Sequence, residues 1–191
     1  MRLRLPGGRQ VDPVLRLHDY ARVQRRAGFL DAAALLGDVT QTAAEDVDPE
    51  SAQRLAREAI AAAEAAYETD QAEWPAITDY DRLQGAFEDL ERRGVVVLQA
   101  VDDHWAAASL LEQRASGGAP VRGVAWFTAP DVWHAVDNGM LELNVWHGDS
   151  ANVAPGDVLL DEVIAVLAAH ELAGHFDEGR IEISAYWQRR L

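Results

Sequence analysis

From Thr78 onward the chain alternates between helical and strand periodicity, and this alternation limits it to folds in which helices pack on a sheet. Thr78-Asp79-Tyr80-Asp81 reads as a capping box: a hydroxyl satisfies a free N–H, and carboxylates sit at the positive end of a helix. Leu83, Phe87 and Leu90 then fall at i, i+4 and i+7, Gly94 closes the helix, and Val95-Val96-Val97-Leu98 is an apolar run of the kind a buried strand needs. A helix near Asp103 to Arg114, a Ser116-Gly117-Gly118 turn, a strand near Val121 to Phe127 and a short helix near Asp131 to Val136 follow, with a turn at Asn138-Gly139. Leu141, Leu143 and Val145 alternate with Glu142 and Asn144, as one-sided burial of a strand requires. Pro155-Gly156-Asp157 introduces a last helix carrying Leu160, Ile164 and Leu167, then a turn through Gly174 and a final strand through Ile181, Ile183, Ala185 and Trp187.

The first part of the chain is helical throughout. Asp12-Pro13 caps a helix to about Arg26 that Gly28 stops, and a second, short helix from Asp31 to Leu36 is closed by Gly37. The polar stretch Asp38 to Asp48 reads as a surface connection. Asp48-Pro49-Glu50 opens an Ala-rich helix to about Thr69 whose apolar face is Leu55, Ala59, Ala62 and Ala66, and Trp74-Pro75 ends the region. The expected fold class is α+β: a helical N-terminal region over residues 1–75, followed by a small mixed β-sheet covered by helices over residues 76–191, the two packing separately or as a single unit.

Composition narrows the chemistry. Cysteine is absent, which excludes disulfides, thiolate zinc sites, thiol nucleophiles and iron–sulfur clusters. Seventeen basic residues, all arginine, stand against 32 acidic ones for a formal charge of −15, a field that repels phosphate backbones and admits a basic protein partner. Direct nucleic-acid binding is therefore not expected. The start, Met1-Arg2-Leu3-Arg4-Leu5-Pro6, lacks the apolar stretch of a signal peptide, and no later segment approaches the roughly 18 uninterrupted apolar residues of a membrane helix. A cytoplasmic protein without a membrane association is the expectation.

Trp74-Pro75, followed by Thr78-Asp79-x-Asp81-Arg82-Leu83-x-x-Ala86-Phe87-x-x-Leu90-Glu91-x-x-Gly94-Val95, resembles the signature of an uncharacterised bacterial family defined by a domain of unknown function. The similarity extends more weakly from Ala27-Gly28-Phe29 to Trp187-Gln188-Arg189-Arg190. Members of that family commonly carry a cysteine cluster after the strand matching Val95 to Leu98 and a His-rich step before the residue matching Asp131. This chain has Ala100-Val101-Asp102-Asp103-His104-Trp105 and Phe127-Thr128-Ala129-Pro130-Asp131-Val132-Trp133-His134 there, so no metal or redox role carries over. The resemblance implies a fold and no reaction.

Few residues invite a chemical role. His170-Glu171-Leu172-Ala173-Gly174-His175 approximates the H-E-x-x-H zinc helix, but its histidines are five apart, about 140° out of register on a helix, so no metal site is expected. Asp102, Asp103 and His104 could supply a carboxylate–histidine pair for general acid–base catalysis, and Asp131 and His134 stand at helical i, i+3 spacing. Helix capping accounts for the same carboxylates without catalysis. His147-Gly148-Asp149-Ser150 reads as a loop, since triad members converge from separate elements. No phosphate-binding loop, dinucleotide fingerprint or nucleophile elbow is present, and no cofactor is expected.

Among the six tryptophans, Trp126 and Trp146 fall in strands and belong to the core, whereas Trp105 and Trp133, each near a helix start beside Asp and His, are candidates for a recognition patch. Asp79, Asp81 and Arg82, at the polar end of the signature helix, are further binding candidates whose local alternative is capping and pairing. Two functions follow as expectations: a non-catalytic, acidic interaction or regulatory protein that engages a basic partner, or a small hydrolase-like enzyme using the Asp102–His104 and Asp131–His134 groups around a pocket. Carboxylates mimicking nucleic-acid charge are a third reading. Oligomeric state is not legible.

Overall fold

A computed structural model of the protein describes residues 12–191; the Met1 to Pro6 segment lies outside them. The chain divides into two compact units between Ala72 and Glu73.

The first unit is built from three helices, α1 (Pro13–Ala27), α2 (Ala32–Ala43) and α3 (Pro49–Glu73), the last residue of α3 falling beyond the division. Asp12 accepts from the Val14 N–H, Pro13 occupies the first turn, and Gly28 ends α1 in the left-handed region at φ 72°. Asp31 caps α2 through the Ala34 N–H. This helix does not stop at Gly37. It runs through it to Ala43, because Leu35, Val39 and Ala43 bury one stripe, and that burial outweighs the roughly 1 kcal/mol a glycine costs a helix interior. The stretch expected as a connection is thus helical in its first half.

Asp48 opens α3 by accepting from Glu50 and Ser51. Its buried stripe is Ala52, Ala56, Ala59, Ala63 and Tyr67; of the expected face Leu55, Ala59, Ala62 and Ala66, Ala59 alone belongs to it. Alanines let neighbouring backbones approach, and Leu55 packs at the margin of the core formed with Leu17, Ala21, Leu35 and Val39.

The second unit holds α4 (Asp79–Arg92), β1 (Val95–Val101), α5 (His104–Ser116), β2 (Gly123–Thr128), α6 (Ala129–Asn138), β3 (Met140–His147), α7 (Val158–Ala169), β4 (Ala173–Asp177) and β5 (Arg180–Ser184). The sheet order is β1-β2-β3-β5-β4, with β1 and β2 parallel and every other pairing antiparallel, so the fold is α+β with a mixed sheet. Strand alternation sorts the side chains. Leu141, Leu143, Val145, Ile181 and Ile183 are buried, while Glu142, Asn144, Arg180 and Glu182 alternate with them. On that second face, α5 covers the β1–β2 end through Ala107 and Leu111 against Val124 and Trp126.

Thr78 begins α4 with both halves of a capping box: its hydroxyl accepts from the Asp81 N–H at 3.2 Å, and Asp81 Oδ2 accepts from the Thr78 N–H at 2.8 Å. Thr128 and Asp131 repeat the device on α6. The turn expected at Gly174 lies earlier. Helix α7 ends at Ala169, and Glu171 takes the left-handed conformation at φ 62°. Gly174 lies in β4, a strand absent from the sequence reading, where a Cβ would meet Leu167 and Ile181 at 3.1 and 3.2 Å. The glycine serves close helix–strand approach instead of a turn. Strand β5 ends at Ser184, yet Trp187 stays buried, edge-on to Tyr80 at 4.8 Å and to Phe127 at 5.8 Å.

Candidate functional site

The C-terminal ends of parallel strands β1 and β2 lie side by side, Val101 opposite Thr128, and each feeds a helix. Every candidate catalytic residue belongs to these two strand-to-helix corners. At the first, the ladder slips between Leu98 and Val101, with Ala100 left-handed at φ 51°. Asp103 then caps α5 through the Trp105 N–H at 2.8 Å. The His104 ring lies 4.6 Å from that of Trp105 and 6.4 Å from that of Trp146. At the second corner, Asp131 Oδ2 accepts from the Thr128 N–H and hydroxyl, both at 2.7 Å, and His134 is exposed.

Among the described residues no hydrogen bond or ion pair joins Asp102, Asp103 or His104 to Asp131 or His134, and no cluster of three or more His, Asp or Glu is arranged to hold a metal ion. Two of the carboxylates cap helices and one imidazole stacks on indole. This arrangement offers no nucleophile or base with a partner to orient it.

What the first corner does form is a shallow hollow lined by Ala100, Val101, Asp102, Asp103, Trp105, Ala106 and Ser109. Trp105 is 65% exposed, the highest value of the described aromatic side chains. An indole face beside two exposed carboxylates suits a cation that carries some apolar surface, above all a guanidinium. Trp133, on α6, is half-buried, so the two candidate tryptophans differ in character.

Asp79, Asp81 and Arg82 are committed to other work. Asp79 accepts from the Tyr186 N–H at 3.1 Å, Asp81 pairs with Arg190 at 3.6 Å beside its capping role, and Arg82 reaches Glu171 at 3.0 Å and the Ile77 carbonyl at 3.2 Å. Together they tie the C-terminal segment and the α7–β4 turn to the start of α4.

The strongest electrostatic features include His170 and His147, weighed in the sequence and set aside there, each paired with a carboxylate of another element. His170 Nε2 lies 2.6 Å from Asp89 Oδ2, and this bond, joined by Arg92, holds the Asp89 carboxyl below the usual range. His147 Nε2 lies 3.0 Å from Asp157 Oδ2; that contact and the Ala154 N–H lower Asp157 likewise. Arg122 grips Glu162 through two bonds of 2.6 and 3.1 Å, lowering the carboxyl and raising the guanidinium, with Arg93 alongside. All three pairings pin helices to neighbouring elements. In the helical unit, burial raises the Tyr20 phenol, whose hydroxyl donates to Asp38 at 2.7 Å.

The described residues contain no helix long and apolar enough to cross a membrane. No curated protein and no solved structure matches the chain. The family described as domain of unknown function DUF6891 matches residues 12–191, and the chain belongs to it.

Proposed function

We propose that the chain is a non-catalytic, acidic interaction or regulatory protein of the cytoplasm, and that it engages a basic protein through the surface around Trp105. The observation that carries this reading is the hollow at the β1–α5 corner, where a largely exposed indole stands beside Asp102 and Asp103 in a chain of net charge −15. An exposed tryptophan costs solubility, and its face gains roughly 0.5–1 kcal/mol from a cation at a surface site. The wider negative field speeds encounter with a basic partner and makes the association salt-dependent. A hydrolase built on Asp102–His104 and Asp131–His134 needs those groups to converge, and their capping and stacking roles lend it no support.

The test is affinity capture from a lysate of the source organism at low salt with three baits: the intact chain, Trp105→Ala, and Asp102→Asn combined with Asp103→Asn. Asparagine preserves the cap on α5. A basic partner held by the intact chain, released by salt and lost from both variants supports the reading. A partner that all three baits hold alike, or a blank at low salt, overturns it.

A further inference from the structure

Strand β1 pairs with β2 on one side, and among the described residues no strand lies on its other side; the same holds for β4 beyond β5. These two edges are protected very differently. Strand β4 carries His175 and Asp177, both exposed. The run Val95-Val96-Val97-Leu98 of β1 has no charge and no proline, the features that ordinarily keep an edge from pairing. Its one guard is the irregularity at Ala100, which lies past the run. Val96, Val97 and Leu98 are all half-buried whichever face they point to, whereas five consecutive residues of the neighbouring β2 are fully buried. Val95 at the start of the run is buried, so the β1 edge faces outward over the three residues Val96–Leu98, about 10 Å of strand.

The flanks of this edge are acidic. Helix α4 turns one flank toward α7, where Asp89 meets His170 and Gly85 underlies the same ring. Its opposite flank carries Gln84, Glu88 and Glu91. Gln84 exchanges two hydrogen bonds of 2.9 and 3.1 Å with Gln99 of β1, which sets that flank along the open edge. On the other face of the sheet, the hollow joins Ala100 and Val101 to Trp105, Ala106 and Ser109 of α5, and Glu112 continues that flank one turn on. Asp102 and Asp103 stand at the far end. At the near end Arg92 pairs with Asp89 and reaches Glu88 at 4.0 Å, and Arg93 and Arg122 pair with Glu162, which leaves Glu91 the unshared carboxylate of the α4 flank among the described residues.

From this edge and its flanks we infer that β1 receives an extended basic segment of the partner protein as a sixth strand, an inference that rests on the reading of the Trp105 surface given above. Main-chain hydrogen bonds to Val96–Leu98 hold the segment. Alternate side chains project to either face, one set toward Glu88 and Glu91, the other toward Glu112, Asp102, Asp103 and the Trp105 indole. A second copy of this chain would oppose the same carboxylates to themselves and bring another charge of −15, so charge complementarity selects a basic segment.

The experiment titrates the intact chain at low salt with a Val-Arg octapeptide of alternating Val-Val and Arg-Arg pairs, which presents arginine to both faces of the strand, and with the same peptide N-methylated at every backbone nitrogen, which keeps its charge and side chains but removes its main-chain donors. The expected result is binding of the first peptide, slowed amide exchange within Val96–Leu98, at least about tenfold weaker binding of the methylated one, and loss of affinity in Trp105→Ala. Equal binding of both peptides, still dependent on Trp105, overturns strand addition and leaves the basic-partner reading standing. Binding of neither peptide, or binding indifferent to Trp105, overturns both.

Discussion

Thr78 is the only buried polar or charged residue of the described chain, fully enclosed at the start of α4, and its hydroxyl is the point at which cap and core meet. Thr78→Val removes that hydroxyl at nearly constant volume, so no cavity adds to the cost. Two hydrogen bonds disappear: the Asp81 N–H donating to Thr78 Oγ1 at 3.2 Å, and the hydroxyl donating to Asp81 Oδ2 at 2.9 Å. The third bond of the box, from the Thr78 N–H to the same carboxylate at 2.8 Å, survives. At about 1 kcal/mol per bond, and with one helix-end N–H left without a partner in a part-buried place, the loss is about 2 kcal/mol. Thr78→Ser keeps both bonds and costs less than about 1 kcal/mol, the methyl alone. All six tryptophans lie beyond residue 72, so urea unfolding followed by tryptophan fluorescence reports the second unit by itself. A valine variant within about 0.5 kcal/mol of the parent, or a serine variant as damaged as the valine one, would refute the capping argument.

Further outcomes follow from the same structure. Gly123→Ala drives a Cβ to 2.5 Å from the Trp146 carbonyl oxygen, a backbone atom of the paired strand, and is expected to lower the denaturation midpoint by more than any exposed substitution, by roughly 2 kcal/mol or more. Acid stability depends on Asp89, Asp157 and Glu162, whose carboxyls are all lowered in the folded protein: their contribution is present above the ordinary carboxylate range and is lost as pH falls through about 4 and below. The melting temperature should therefore fall on acidification in that window, and Asp89→Asn with Asp157→Asn should flatten the fall; an unchanged profile would contradict the assignment. Trp105→Ala leaves stability within about 0.5 kcal/mol, measured by the same urea titration, because its side chain is largely in solvent.

Much of the architecture is written in local signals. The capping boxes at Thr78, the left-handed Gly28 and the alternation through Leu141–Val145 are each decided by a few adjacent residues, and the sequence reading matches them. Two misreadings share one cause, a tertiary contact overriding a local preference. Gly37 is carried inside α2 by the stripe Leu35, Val39 and Ala43, and Gly174 is drawn into β4 by its approach to Leu167 and Ile181. Strand β4 itself, with alternating exposed residues and a glycine, carries little apolar signal of its own.

The residues of the candidate site are legible by composition, but their arrangement is not. Asp102, Asp103 and Trp105 stand out because acidic and aromatic residues adjoin an apolar run. Nothing local shows that β1 is an edge, since that depends on the order of strands scattered over 90 residues. The His170–Asp89 pair, 81 residues apart, is equally invisible before folding.

Engagement of a basic partner at Trp105 is read most directly from the indole N–H signals of the six tryptophans by NMR while a basic probe, the Val-Arg octapeptide, is added at low salt. The Trp105 signal is expected to shift first and furthest, with the buried Trp126 and Trp187 signals nearly still, and salt to reverse the change. Shifts that leave Trp105 unmoved, or that spread evenly over all six, would contradict engagement there.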